Sequence, residues 1–124
     1  METVKTQKIS LTTEHIFWLE YIEHAKLELK SMQERLIEHL PTFSNKMLAR
    51  VEQFQNRFIR QKEVTDILRH NIKAHENDIE RMTRLSLDYL QLRVANDHTV
   101  LKNEYNRYVE LFVELVQDFN EFLA

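Results

Sequence analysis

The sequence contains no glycine and no cysteine, and Pro41 is its only proline. Without glycine, no residue enters the left-handed backbone region freely. Glycine-dependent hairpin turns, phosphate-binding loops and dinucleotide fingerprints are therefore excluded. Without cysteine there is no disulfide framework, no thiolate metal site and no cysteine nucleophile. No stretch approaches the roughly 18 uncharged apolar residues of a membrane span. Residues 1–10 carry Lys5 and Lys8 and lack the apolar core of a signal peptide. These absences predict a cytoplasmic protein with no membrane partner. An excess of positive charge is missing too. The formal net charge is -3 and the pI is near 6.1, which argues against nucleic acid as a partner.

What is present is helix-forming material. In 124 residues, 43% are hydrophobic and 30% charged, the balance of one folded domain over residues 1–124. Residues 1–10 read as a flexible lead. A first helix is predicted from about Leu11 to Leu40, with Ser10, Thr12 or Thr13 as N-cap and Glu14 in its first turn. Leu11, His15, Trp18, Ile22, Ala25, Leu29, Met32 and Leu36 alternate steps of four and three, a coiled-coil-like seam. Pro41 ends that helix.

Ser44 reads as the cap of a second helix, with Phe43 and Leu48 placed as a hydrophobic staple. Its seam is Met47, Val51, Phe54, Phe58, Gln61, Thr65, Leu68, Ile72, His75, Ile79 and Met82. Residues 83–96 fit no single helical face and read as an irregular connection, with room for a short extra helix. Asn96 or Asp97 then caps a third helix with the seam His98, Leu101, Tyr105, Tyr108, Phe112, Leu115, Phe119 and Phe122. The predicted fold is all-α, an antiparallel bundle of three long helices. The third helix and the start of the first are apolar on wide arcs. Phe17, Tyr21, Leu111 and Val116 would lie in water in a monomer, so dimerisation into a larger bundle is expected.

Folding the chain at a turn near Thr42 makes the first two helices antiparallel neighbours. Counting back from that turn sets residue 15 level with about residue 70, and residue 11 with about residue 74. His98 starts its helix at the same height. His15, His75 and His98 are then three seam positions at one end of the bundle, with His70 nearby as a fourth candidate ligand. Neutral imidazole suits zinc and other first-row divalent metals. Glu14, Glu76 and Asp97 each neighbour one of these histidines and offer outer oxygens. A bundle end also accommodates histidine with no metal, one ring edge packed and one nitrogen in water. A ferritin-like centre needs Glu-x-x-His motifs, and the sequence has none. His24, between Glu20 and Glu28, reads as a member of solvated i,i+4 pairs.

Lys46, Arg50, Arg57 and Arg60 form a basic stripe, expected to pair with Glu34 and Glu38. Gln61 and Thr65 stand mid-seam as a polar layer, of the kind that fixes register. No serine or threonine stands in a nucleophile motif, and no catalytic signature is complete.

Two resemblances attach to these residues. Glu14-His15-Ile16-Phe17-Trp18-Leu19, followed by His24-Ala25, resembles the opening helix of the DUF2935 helical-bundle proteins. Val51-Glu52-Gln53-Phe54-Gln55-Asn56-Arg57-Phe58-Ile59, with Leu68-Arg69-His70 and Asp97-His98, is similar to a family of short all-helical proteins of Bacteroidota. The second resemblance covers most of the chain. It implies the helical fold and carries no activity. Gln53 stands where some members are expected to have histidine, so it supplies no ligand on that turn.

The resulting expectation is a non-enzymatic bundle that associates with itself or with another protein. The alternative is a metal-binding bundle with His15, His70, His75 and His98 as the ligand set, open to metal-dependent catalysis. The default is no cofactor, and the exception that the histidines allow is zinc or another first-row divalent metal.

Overall fold

In the computed structural model, which describes residues 4–124, the first helix, α1 (Val4–His39), runs straight through Ser10, Thr12 and Thr13. The expected caps fail for a local reason. Thr13 Oγ1 donates to the Ile9 carbonyl at 2.7 Å, so its hydroxyl is used inside the helix instead of at its end. Residues 4–10, expected as a flexible lead, are the first turns of α1, and residues 1–3 lie outside the described part.

At the other end Pro41 acts as expected, and one 3-10 turn, Leu40–Thr42, follows His39. Thr42 Oγ1 donates to the His39 carbonyl at 2.6 Å, which satisfies one of the orphan carbonyls of the helix end. A second 3-10 turn, Asn45–Met47, leads into α2 (Leu48–Leu85). The Ser44 carbonyl accepts the Met47 N–H at 2.9 Å, but the Ser44 side chain caps nothing. The expected staple is replaced as well. Leu48 is 47% exposed, while Phe43 packs against His39 and Phe122.

The largest departure from the sequence reading is at residues 83–96. α2 continues to Leu85, two residues turn the chain, and α3 (Asp88–Leu123) begins at once. Ser86 makes the turn in the left-handed region, at φ 52 and ψ 37, and its N–H reaches the Met82 carbonyl at 2.8 Å. Asp88 sits in the first turn of α3, where a carboxylate favours the helix dipole. Asn96 and Asp97 are interior to that helix and cap nothing. There is no irregular connection and no short extra helix. Among the described residues there is no strand.

The three seams face one another. Every predicted seam residue of α1 is buried, and so is that of α2 from Val51 to Met82. On α3 the seam extends back through Val94 to Leu90, while Tyr105 is half-buried. Lys8–Glu80 at 3.0 Å and Arg69–Glu23 at 3.6 Å tie α1 antiparallel to α2. Arg57–Asp118 at 3.0 Å ties α2 antiparallel to α3. Of the basic stripe, Arg57 thus meets α3 and not Glu34 or Glu38, and Arg50 lies over the Phe54 and Phe122 rings. Such exposed pairs each contribute little to stability.

The core is in two parts. A large cluster runs from Trp18 and Leu101 to Phe122. A small one holds Leu11, Ile79, Met82, Leu90 and Val94. Between them lies a layer of histidine. Of the side chains expected to drive dimerisation, Phe17 is exposed at 62%. Tyr21 and Val116 instead pack against the chain's own core, and Leu111 is half-buried.

Candidate metal centre

His15, His75 and His98 project from α1, α2 and α3 into the same layer, and all three are buried. The seam spacing puts them there, because each occupies a position that its helix turns inward. Their ring centroids are 5.1 Å (His15–His75), 5.4 Å (His15–His98) and 5.5 Å (His75–His98) apart. One ring nitrogen from each lies within 4.8 Å of the others. Trp18 closes the layer on one side, stacked on His98 at 5.0 Å and tilted against His15 at 5.2 Å. On the other side the small apolar cluster covers it. The histidines are therefore interior, not at a wet bundle end.

His70, the fourth candidate, is exposed and stands outside the cluster. The counting that placed it level with His15 assumed a tight turn near Thr42. The two 3-10 turns of Leu40–Met47 move the fold point along the chain, so His75 meets His15 instead. Five residues of helix are about 7.5 Å, too far for a shared ligand set.

Each ring has an oxygen behind it. His75 Nε2 is 2.9 Å from the Val94 carbonyl, and His75 Nδ1 is 3.1 Å from His15 Nε2. His15 Nδ1 is 3.8 Å from Glu76 Oε1. His98 Nε2 is 3.4 Å from Glu14 Oε2, and Lys102 Nζ shares that oxygen at 3.9 Å. His15 Nδ1 and both nitrogens of His98 are buried with no hydrogen-bond partner among the described residues. The Glu14 contact is thus an ion-pair distance without hydrogen-bond alignment.

The carboxylates serve the histidines of neighbouring helices and not those beside them in sequence. Successive helical residues point about 100° apart, so Glu14 turns from His15 toward His98, and Glu76 from His75 toward His15. Asp97 pairs with Arg93 at 3.7 Å and takes no part. The Val94 carbonyl is the member that sequence reasoning missed. Its signal, the seam step from Val94 to His98, lay inside the stretch read as irregular.

Two of the three rings are held toward the neutral form. Burial, then the nearness of His75 and His98, pushes the His15 imidazole down from 6.5 to about 4. Burial lowers His98 too. The Glu14 carboxylate pulls it back up, while His75 and Lys102 oppose that pull. Neutral imidazoles are the form that binds metal. Zinc–nitrogen bonds of about 2.0–2.1 Å imply nitrogens about 3.3 Å apart around a tetrahedron. His15 and His75 already stand near that separation, and His98 must turn inward to join them. A crevice of about 240 Å³ between α2 and α3 has His75, Asp78, Asp97 and Glu104 among its lining residues, with His75 itself buried at its wall.

Comparison of the chain with protein-family models, curated proteins and solved structures finds no match.

Proposed function

We propose that this bundle binds a divalent first-row metal, zinc in the first instance, through His15, His75 and His98. One observation carries the reading. Three buried imidazoles converge from three helices, each with an outer oxygen within 3.8 Å of one nitrogen. That is the donor set of a three-histidine site together with the outer shell that orients such ligands. A purely structural layer does not need it. Buried ring nitrogens without partners cost free energy that aliphatic side chains would not, and a metal bound at the layer would take up one nitrogen of His98 that now has none. Three protein ligands leave a fourth position for water, an anion or a substrate atom.

The test is metal analysis of protein purified without a histidine tag, followed by titration of the metal-free protein with Co(II) and Zn(II). Near one equivalent per chain, with a tetrahedral Co(II) spectrum displaced by zinc, is the expected result. A wild-type protein that binds neither ion would end the proposal.

A second reading, self-association, draws on one feature. An apolar groove of about 510 Å³ lies between α2 and α3, lined by Val64, Ile67, Leu68, Tyr108 and Leu111 among others. Ile67 stands 60% exposed on its edge. A second copy of this chain presents the same apolar face and buries both. Light scattering at high micromolar concentration should then give twice the chain mass of 15.1 kDa, and a monomer mass would count against it.

A further inference from the structure

The hydrogen bonds of the layer fix which nitrogen carries each proton. The Val94 carbonyl can only accept, so His75 Nε2 must be the protonated nitrogen of that ring at 2.9 Å. In a neutral ring His75 Nδ1 is then bare. It accepts from His15 Nε2 at 3.1 Å, so His15 must carry its proton on Nε2. That leaves His15 Nδ1 bare, buried and without a partner, its lone pair 3.8 Å from the Glu76 carboxylate. A lone pair facing an anion is unfavourable. Among the described residues no lysine or arginine is paired with Glu76, whereas Glu14 has Lys102 beside it.

This arrangement is correct for the metal-free layer and wrong for the occupied one. His75 Nδ1 already presents a lone pair to the centre. His15 Nε2, its neighbour in the ligand set, presents a hydrogen. Building on the metal reading above, we propose that Glu76 is a positioning residue, and that metal capture moves the His15 proton from Nε2 to Nδ1, where the Glu76 carboxylate receives it. One N–H bond breaks and one forms on the same ring by exchange with solvent. The imidazole stays neutral and no net proton is released. The contact that opposes the metal-free tautomer becomes the hydrogen bond that holds the occupied one. Glu76 is half exposed to water at its side chain, 40%, so its carboxylate has the freedom to close the remaining distance. His98 makes no hydrogen bond to His15 or His75, so their bonds impose no such switch on it.

Long-range proton–nitrogen NMR of the histidine rings tests this in the intact protein. Metal-free protein should show His15 and His75 both protonated on Nε2. One equivalent of zinc should move the His15 proton to Nδ1 and leave His75 unchanged. Glu76→Ala should weaken zinc binding 10–100-fold without loss of helix, and Glu76→Gln, whose amide oxygen still accepts, should recover part of it. Zinc binding with His15 still protonated on Nε2 would overturn the inference while leaving the metal site standing. So would wild-type affinity in Glu76→Ala. Failure of the wild-type protein to bind zinc at all, read by calorimetry beforehand, overturns the metal reading itself and this inference with it.

Discussion

His75 Nδ1 lies 3.1 Å from His15 Nε2, across the interface of two antiparallel helices and sealed from water. The two residues are sixty positions apart in the chain, so the contact depends on the register of the α1–α2 hairpin. A slip of one turn, 5.4 Å, would destroy it. The layer therefore reports on the fold as much as on its ligand.

Metal should tie the three helices together at this layer. Free zinc at 100 times its dissociation constant adds about 2.7 kcal/mol, a rise of roughly 10 °C in melting temperature for a chain of this size. His75→Ala and His98→Ala should each remove most of that rise, as followed by circular dichroism at 222 nm. A melting temperature indifferent to zinc in the wild type, or equally raised in the variants, would contradict the assignment.

The only tryptophan, Trp18, is stacked on His98 at 5.0 Å. Its fluorescence should fall when Co(II) or Cu(II) enters the layer, with a midpoint that tracks the metal titration. Emission unchanged by a bound paramagnetic ion would place that ion elsewhere.

Acid should destabilise the metal-free protein in a defined window. His15 is held neutral in the fold, down at about 4 from 6.5, so the unfolded chain takes up its proton first. Stability is complete above about pH 6.5 and declines as pH falls from there toward 4, by on the order of 3 kcal/mol from His15. His98 acts in the same direction, with Glu14 holding it back. Urea unfolding across this range should show the slope, and His15→Leu should flatten it.

Ser86 occupies the left-handed region at φ 52 because the chain has no glycine to place there. An L-residue pays on the order of 1 kcal/mol for that backbone. Ser86→Gly should raise the urea midpoint correspondingly without moving the metal affinity. A lower midpoint would show that the serine does more than turn the chain.

Gln61 is buried in the seam, and its Nε2 has no hydrogen-bond partner among the described residues. The neighbouring Thr65 does better, bonding the Gln61 carbonyl at 2.6 Å and the Tyr108 hydroxyl at 2.9 Å. Gln61→Met keeps the volume and removes the orphan, so it should stabilise by on the order of 1 kcal/mol. A loss of stability would reveal a role for the amide in fixing register.

The seams were legible because buried helices write their period into the sequence. Ile22, Leu29, Met32 and Leu36 could be assigned by spacing alone, and all are buried. Residues 83–96 were not legible, for two physical reasons. Leu85, Leu87, Tyr89 and Leu92 are apolar yet exposed, which blurs the stripe. The inward residues Leu90, Val94, His98 and Leu101 advance by four, four and three, not by alternating four and three. The start of α1 hid behind Thr13, whose hydroxyl bonds back within the helix. Three of the four candidate ligands emerged from spacing. The fourth, His70, was admitted by an error in the fold point, which depends on loop geometry that no periodicity encodes. Tautomers and outer oxygens needed coordinates.

The histidine layer also sets a kinetic boundary. Beyond it the bundle is closed by five side chains, Leu11, Ile79, Met82, Leu90 and Val94, from the three helices. With few apolar contacts and a two-residue turn at its end, this tip forms a small cooperative unit that can open while the long aromatic core stays folded. Amide hydrogen exchange should divide there, fast in the tip and slow from Trp18 downward. Each opening would bare the imidazoles to solvent, so the rate at which an ion enters or leaves a sealed site becomes the rate at which a helical tip breathes.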